Sequence, residues 1–315
     1  MSKLALAIHG GAGTILRSQM SPDKEAIYRT ALDEALEAGY KVLRQGGAAL
    51  DAVVAAVVSL EDCEWFNAGK GSVFTHQGHH EMDAAVMDGQ TGRAGAVAGV
   101  RQIKNPILLA QSIMDHSDHI LLSGDGAMAF AREHGLAFED DAYFYTPHRY
   151  KQWQQALLED RTLLDHDDRE TDNDLDEKKF GTVGAVACDA HGHLAAATST
   201  GGMTNKKYNR IGDSPLIGCG TYANNSTCAV SCTGHGEKFI QAVAAYDVHC
   251  LMEYKGLDLP EALRIVVNEK LLRIRGEGGI IGVDAGGNTA MIFNSEGMYR
   301  GRIDASGLKE IAIYK

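Results

Sequence analysis

The most reactive arrangement in the sequence is a threonine that follows a glycine where a predicted strand begins. Thr182 comes directly after Gly181 in the segment KKFGTVGAVACD. A threonine hydroxyl is a weak nucleophile and needs a base to activate it. One available base is the α-amino group of Thr182 itself, which would become free if the bond to Gly181 were cut. Because an α-amine has a pKa of roughly 7.7–8.0, one residue could then supply both nucleophile and base.

Two glycine-rich segments suggest phosphate binding, but neither completes a phosphate-binding motif. The segment HGGAG at 9–13 follows a predicted strand and lacks the third glycine of a dinucleotide fingerprint. Lys70, in GKGS, has Glu64 at the position where a P-loop requires its first glycine. We interpret both segments as turns.

A metal site built from cysteines is also disfavoured. Cys228 and Cys232 alternate on one face of a single predicted strand, with Cys219 and His235 nearby in the sequence. Zinc sites usually take their cysteines from a tight turn, so this spacing favours core packing.

The net charge of the chain argues against nucleic-acid and membrane partners. The 315 residues include 30 Lys and Arg against 42 Asp and Glu, for a formal net charge of -12. Such a charge repels phosphate backbones and anionic membrane surfaces, so an anionic ligand would need a local cation. Ten acidic and four basic residues fall within 159–179 and contribute half of the net charge. We predict a flexible acidic linker over about 159–181.

The elements that must position Thr182 are short strands and apolar helices. A helix is predicted to begin at Pro22 with Ser21 as its cap and to end before Gly46, burying the stripe Ile27, Ala31, Ala35 and Val42. Further helices are predicted at 48–60, 106–115, 126–134, 237–254 and 259–273. Strands are predicted at 3–9, 72–75, 81–88, 94–100, 182–189, 193–200, 228–233, 279–283, 289–294 and 298–303.

Short hairpin turns such as DGQTG and DAHGH join consecutive predicted strands. They favour antiparallel sheets over a doubly wound parallel sheet. Strands on either side of a helical pair predict an α+β fold, a sandwich of antiparallel sheets covered by helices on both outer faces. We expect one folded domain.

The sequence also predicts where the protein resides. Only five apolar residues precede His9, whereas the apolar region of an export signal needs roughly 7–15. The longest apolar run is shorter than the roughly 20 residues that span a bilayer. We therefore expect a cytoplasmic protein whose six cysteines are reduced.

Blocks along nearly the whole chain occur in the order typical of one known family. They are IHGGAG at 8, LEDCEWFNAGKGSVFT at 60, MDAAVMDG at 82, AGAVAGV at 94, GTVGAVACD at 181, ATSTGGMTNK at 197, RIGDSPLIGCGTYA at 210, CTGHGE at 232 and NSEGMYRG at 294. In these blocks the chain resembles the plant-type asparaginase and isoaspartyl peptidase family of N-terminal-nucleophile (Ntn) hydrolases.

The resemblance implies an αββα sandwich and autocatalytic cleavage between Gly181 and Thr182. The products would be an α subunit of residues 1–181, which includes the linker, and a β subunit of residues 182–315 that begins with the nucleophile. The family usually assembles as a dimer of such αβ pairs.

The resemblance also implies a catalytic set around the nucleophile. Thr182 corresponds to the nucleophile, Thr200 to the hydroxyl that orients it, and Asn67 to the α-subunit residue beside it. Thr233 and Gly234 correspond to the oxyanion donors. Backbone N–H groups at such a strand end suit this task, and losing one such donor typically costs roughly 3–4 kcal/mol.

A substrate-binding set is implied as well. Arg210 and Asp213 resemble the pair that holds the α-carboxylate and the α-ammonium group of the substrate, with Gly234 and Gly236 beside them. The planar guanidinium fork suits a carboxylate and supplies the local cation that the overall negative charge requires. His235 occupies a variable position next to these groups and could alter the accepted leaving group.

The loop that contains Asn67 resembles the sodium loop of the family. The implied ligands are backbone carbonyl oxygens, a donor type that suits a hard cation, and they belong to Leu60, Glu61, Cys63, Phe66, Ala68 and Lys70. No cofactor is expected for catalysis itself.

The expected activity is hydrolysis of β-aspartyl amides, with isoaspartyl dipeptides and L-asparagine as substrates and L-aspartate as product. Two alternatives remain open at this point. One is an enzyme of the same family acting on glycosylated asparagine, which the lack of a recognisable export signal disfavours. The other is an unprocessed, inactive protein that binds aspartyl ligands.

Overall fold

Residues 3–159 and 181–315 are described by a computed structural model, and the predicted acidic linker therefore lies almost wholly outside the described residues. The strands are β1 (Ala5–Gly13), β2 (Met82–Asp88), β3 (Ala94–Val100), β4 (Leu121–Ser123), β5 (Thr182–Cys188), β6 (Leu194–Thr200), β7 (Thr221–Ala223), β8 (Cys228–Gly234), β9 (Gly278–Asp284), β10 (Thr289–Phe293), β11 (Gly297–Asp304) and β12 (Lys309–Tyr314). The α-helices are α1 (Pro22–Arg44), α2 (Ala49–Glu61), α3 (Pro106–His116), α4 (Gly124–Glu133), α5 (Asp141–Phe144), α6 (Pro147–Leu158), α7 (Gly236–Ala242), α8 (Ala244–Lys255) and α9 (Leu259–Ile265).

The strands form two sheets. The larger sheet has the order β12-β11-β1-β5-β6-β2-β3-β4, and the smaller has the order β10-β9-β8-β7. Neighbouring strands are antiparallel except for β3 and β4, which run parallel. Strand β5, which begins at Thr182, and strand β6, which ends at Thr200, are neighbours in the middle of the larger sheet.

Three apolar clusters hold four layers together. In the first cluster, side chains such as Leu32 and Val53 pack α1 and α2 against the larger sheet. In the second, Phe239 and Leu263 pack helices against the smaller sheet. The third, which includes Val186 and Ile281, fills the space between the two sheets. The predicted αββα sandwich is therefore confirmed.

Helix α1 begins where the sequence predicts, but its buried face is shifted by one residue. The Ser21 side chain accepts a hydrogen bond from the backbone N–H of Lys24, and Pro22 is the first helical residue. Ile27, expected in the core, is 39% exposed, whereas the neighbouring Tyr28 is buried. Tyr28 stacks on Tyr299 at a ring-centroid distance of 4.5 Å, so aromatic packing determines the rotation of the helix.

The first strand continues through the glycine run that was expected to end it. Pairing with β11 shifts register between His9 and Gly11, where a β-bulge occurs. Gly11 has φ +115, a conformation that favours glycine. The bulge lets β1 extend to Gly13 beside the start of β5.

The prediction of a strand at 72–75 is wrong. This segment forms only an isolated bridge between Thr75 and Lys206. The backbone N–H of Val73 donates instead to the side-chain oxygen of Asn67, at 2.9 Å. The segment therefore supports a side chain near Thr182 rather than a sheet.

Two helical predictions also need correction. None of the predicted helices covers 147–158, but α6 lies there, with Thr146 as its cap and Pro147 as its first residue. The helix predicted at 237–254 is interrupted at Val243, which has φ +48. After this break, the N–H groups that begin α8 donate to the carbonyls of Gly218 and Cys219.

All six cysteines are free thiols. None of the helices within residues 3–159 and 181–315 is both long and apolar enough to cross a membrane.

Candidate active site

Thr182 and Thr200 face each other across two adjacent strands. They are direct partners in the register of β5 and β6, and their hydroxyl oxygens lie 3.2 Å apart. The Thr200 hydroxyl donates to the carbonyl oxygen of Gly181 at 3.1 Å and accepts from the N–H of Gly202 at 2.9 Å. Thr200 therefore contacts both the predicted nucleophile and the carbonyl of the bond predicted to be cut.

Asn67 supports this pair from the neighbouring loop. Its side-chain amide donates to the carbonyl oxygen of Gly202 at 2.7 Å. A Cβ on Gly181 would collide with the Asn67 side chain, so the residue before Thr182 must be glycine in this conformation. The structure thus places Asn67 beside Gly181, the residue before the predicted nucleophile.

A single cleft brings most of the predicted site residues together. Its lining includes Gly181, Thr182, Thr200, Arg210, Asp213, Thr233 and Gly234. Gly236 lies just behind this lining, because a Cβ there would be 2.7 Å from Nη2 of Arg210 and 2.9 Å from Oδ1 of Asp213. Met203 and Ala12 also line the cleft, and the sequence did not single them out.

Asp213 is a buried carboxyl group with an unused acceptor. It is 4% exposed, and its Oδ2 has no hydrogen-bond partner among the described residues. Burial raises its pKa to about 7, although the charge of Arg210 acts in the opposite direction. A ligand ammonium group could bind this carboxylate and favour its ionised form.

Arg210 already has a carboxylate partner in the protein. Its Nε and Nη2 donate to the two carboxylate oxygens of Glu237, each at 2.8 Å. Burial alone would lower the Arg210 pKa, but the hydrogen bonds and charge of Glu237 raise it overall. The Arg210 guanidinium is therefore positively charged at every working pH.

Thr233 and Gly234 end β8 at the wall of the cleft. Gly234 has φ +146, and a Cβ there would collide with the carbonyl oxygen of Glu277. The N–H of His235 donates to that same carbonyl at 2.9 Å, so it is not available to a ligand. This tight turn keeps Thr233 and Gly234 at the cleft, where an oxyanion donor would have to be.

A buried chain of hydrogen bonds ends at the carbonyl oxygen of Thr182, and the sequence did not predict it. Nδ1–H of His9 donates to the carbonyl oxygen of Thr182 at 3.0 Å, which makes Nε2 the acceptor for the Ser231 hydroxyl at 2.9 Å. Thr198 then donates to Ser231, and Thr221 to Thr198, both at 2.7 Å. Burial lowers the His9 pKa to about 3, so the imidazole stays neutral. The position of His9 in the block IHGGAG was the available signal.

A second unpredicted feature is a pair of buried ionisable groups beside Thr200. Asp83 is the register partner of Thr200 on β2, so Thr182, Thr200 and Asp83 form one cross-strand row. The buried Lys206 donates to the carbonyl oxygen of Glu81 at 2.9 Å. Burial raises the Asp83 pKa and lowers the Lys206 pKa.

The loop that the resemblance predicts to hold sodium has a compact backbone. A Cβ on Gly69 would collide with the carbonyl oxygen of Glu61, and one on Gly71 with that of Phe66. The carbonyl oxygens of Leu60, Phe66 and Ala68 accept backbone hydrogen bonds, and a carbonyl oxygen has a second lone pair for a cation. Backbone carbonyl oxygens are the donor type that a hard cation prefers.

Comparison with known proteins places the chain among asparaginases. Residues 2–313 match the family described as asparaginase. The chain is 52% identical to an isoaspartyl peptidase of Salmonella typhimurium over 315 residues, which cover all of both chains. It is 52% identical to an isoaspartyl peptidase of Escherichia coli, covering all of this chain and 97% of the relative. It is also 41% identical to a plant-type L-asparaginase of Pyrobaculum calidifontis, covering 94% of this chain and 95% of the relative. The chain therefore belongs to the asparaginase and isoaspartyl peptidase family of Ntn hydrolases.

Proposed function

We propose that this chain is a self-cleaving threonine hydrolase that releases L-aspartate from isoaspartyl dipeptides and L-asparagine. The observation that carries the proposal is the hydrogen bond between the hydroxyls of Thr182 and Thr200 in the cleft that also contains Arg210 and Asp213. The names of the relatives, isoaspartyl peptidase and L-asparaginase, support the same substrate class.

Self-cleavage begins with attack of the Thr182 hydroxyl on the carbonyl carbon of Gly181. The hydroxyl of Thr200 polarises that carbonyl through its hydrogen bond. The Gly181–Thr182 C–N bond breaks as the nitrogen takes a proton, which leaves an ester between the Gly181 acyl group and the Thr182 oxygen. Water hydrolyses the ester and leaves Thr182 with a free α-amine and a free hydroxyl.

The same two groups of Thr182 then act on the substrate. The α-amine removes the hydroxyl proton, and the oxygen attacks the β-carbonyl carbon of the substrate. Thr233 and Gly234 stabilise the negative charge on the carbonyl oxygen. The protonated amine donates its proton to the departing ammonia or amino acid, and water hydrolyses the β-aspartyl ester to release L-aspartate.

Arg210 and Asp213 recognise the head group of the substrate. The guanidinium binds the α-carboxylate, and the unused acceptor of the buried Asp213 binds the α-ammonium group. Because both groups hold the same end of the substrate, its β-carbonyl is positioned relative to Thr182.

We also propose the assembly, the location and the structural ion of the enzyme. The cut chain assembles as a dimer of αβ pairs in the cytoplasm, and catalysis requires no cofactor. A structural sodium ion is held by carbonyl oxygens from the loop that contains Asn67. The ion would keep Asn67 in place and would take no part in the reaction.

Mass spectrometry of the purified protein tests the proposal. We expect a β subunit whose amino terminus is Thr182 and turnover of β-aspartyl-leucine and L-asparagine by the same preparation. Thr182→Ala should remain one full-length chain. Spontaneous cleavage of that variant would contradict the assignment of the nucleophile. An uncut, inactive wild type that binds L-aspartate would support the alternative of a binding protein. Preferred turnover of glycosylated asparagine would support the alternative of an enzyme that acts on that substrate.

A further inference from the structure

Glu237 occupies one edge of the Arg210 guanidinium group. The two hydrogen bonds of 2.8 Å use the edge formed by Nε and Nη2. Among the described residues, these are the only hydrogen bonds that the Arg210 side chain makes. The opposite edge, formed by Nη1 and the second hydrogen of Nη2, remains for a ligand in the cleft.

Glycine residues lie close against the guanidinium group, and two of them leave no space for a side chain. A Cβ on Gly212 would lie 3.0 Å from Nη1, and a Cβ on Gly236 would lie 2.7 Å from Nη2. A Cβ on Gly202 would lie 3.6 Å from Nη1. These residues have no side chains, so they offer the guanidinium group no side-chain hydrogen bond. Glu237 is the side chain that fixes its orientation, through two hydrogen bonds.

We propose that Glu237 is a positioning residue that orients Arg210 so that its free edge binds the α-carboxylate of an α-amino acid head group. This inference rests on the proposed function and assigns part of its substrate selectivity to Glu237. A ligand that keeps the amino group but lacks the α-carboxylate gains nothing from this orientation. Glu237 therefore favours aspartyl ligands over their decarboxylated analogues.

The negative charge of Glu237 acts against this effect, because it repels the carboxylate of the ligand. The Glu237 side chain is 44% exposed, so solvent screens its charge, whereas Arg210 is 19% exposed. Two parallel charged hydrogen bonds fix a guanidinium plane far better than one hydrogen bond or a charge alone. We therefore expect orientation to outweigh repulsion.

Two substitutions of Glu237 separate geometry from charge. Glu237→Asp keeps the charge but shortens the side chain, and Glu237→Gln keeps the length but removes the charge. Neither can form the paired hydrogen bonds. We expect both variants to raise the KM for L-asparagine and the inhibition constant of L-aspartate about tenfold, equivalent to ~1.4 kcal/mol. The kcat should change less than about twofold, because Glu237 does not touch the reacting atoms.

The inhibition constant of β-alanine provides the selective readout. β-Alanine has the amino group and the carboxylate next to Thr182 but lacks the α-carboxylate, so both variants should bind it as tightly as the wild type does. Gly212→Ala adds a methyl group next to Nη1 and should weaken L-aspartate binding in the same selective way. Its φ is not positive, so the backbone tolerates alanine.

Glu261 offers a matched control. It forms an equally short pair with Arg264, at 2.7 Å for both hydrogen bonds, on an exposed helix face. Glu261→Asp and Glu261→Gln should leave the inhibition constants of L-aspartate and β-alanine unchanged. Tighter L-aspartate binding by Glu237→Gln, unchanged binding by both Glu237 variants, or an equal loss for β-alanine would overturn the inference. Failure of the wild-type protein to bind L-aspartate would instead overturn the proposed function.

Discussion

The hydroxyl of Thr200 links the hydroxyl of Thr182 to the carbonyl of Gly181. One side chain thus contacts the nucleophile and the bond that we propose it attacks. This arrangement follows from the strand register, because Thr182 and Thr200 are direct partners in β5 and β6. The same contact would orient the nucleophile for self-cleavage and, afterwards, for the substrate.

Thr200→Val should impair both reactions while preserving the fold. Valine has nearly the same shape as threonine but has no hydroxyl to donate to Gly181 or accept from Gly202. We expect the rate of self-cleavage and the kcat of any processed fraction to fall about a hundredfold. A time course on denaturing gels and a steady-state assay measure the two rates. Thr200→Ser keeps the hydroxyl and should retain most activity. A Thr200→Val variant that cleaves itself at the normal rate would contradict this role.

Asp213 should make ligand binding dependent on pH. Burial raises its pKa to about 7, so the carboxyl group is mostly neutral at pH 6 and mostly ionised at pH 8. Only the ionised form pairs with an ammonium group, so raising the pH should strengthen binding. From pH 6 to pH 8 we expect the Kd of L-aspartate to fall about tenfold.

Calorimetry at several pH values measures this Kd directly. Asp213→Asn should bind weakly at every pH and show no such trend. Because His235 lies 3.6 Å from Glu237, beside the same site, His235→Asn serves as the control and should keep the pH dependence of the wild type. A Kd that stays constant for the wild type would show that Asp213 is already ionised at pH 6.

Local patterns in the sequence predict much of the fold. Ser21 and Pro22 mark the start of α1, and the turns after Asp88 and Asp189 mark hairpins, because each signal depends on adjacent residues. The errors occur where long-range contacts override local preference. The rotation of α1 depends on the contact between Tyr28 and Tyr299, and the break at Val243 depends on carbonyls of Gly218 and Cys219.

The candidate site likewise combines residues that the sequence predicts with long-range contacts that it does not predict. The resemblance to a family placed Thr182, Thr200, Arg210 and Asp213 together, and the cleft contains all four. The sequence alone could not predict the partner of Arg210 or the hydrogen-bond chain beyond His9. Those contacts join residues separated by 27 and 222 positions, so no local spacing could reveal them.

The loop that contains Asn67 should respond to the cation in the buffer. If its carbonyl oxygens hold sodium only in the folded protein, sodium should stabilise the fold by mass action. A sodium concentration ten times the Kd would contribute about 1.4 kcal/mol. Thermal unfolding in sodium chloride should therefore occur at a higher temperature than in choline chloride of equal ionic strength. Equal unfolding temperatures in the two salts would contradict the sodium proposal.

The buried chain from His9 to Thr221 should contribute to stability as well as to activity. Ser231 lies in its middle, where it donates to His9 and accepts from Thr198. Ser231→Ala leaves a buried imidazole nitrogen without a donor, and an unsatisfied buried polar group costs about 1–3 kcal/mol. Removing the hydroxyl also frees His9 to move relative to the Thr182 carbonyl. This loss matters most after cleavage, when Thr182 becomes the end of a chain.

Denaturant unfolding and the kcat of Ser231→Ala test both effects. We expect a lower free energy of unfolding and a lower kcat, with little change in the KM for L-asparagine because Arg210 and Asp213 are untouched. Ser226→Ala is a suitable control, since Ser226 is an exposed turn residue whose loss should change stability by less than about 0.5 kcal/mol. If Ser231→Ala unfolded like the control and retained full kcat, the hydrogen-bond chain would have no part in holding the nucleophile.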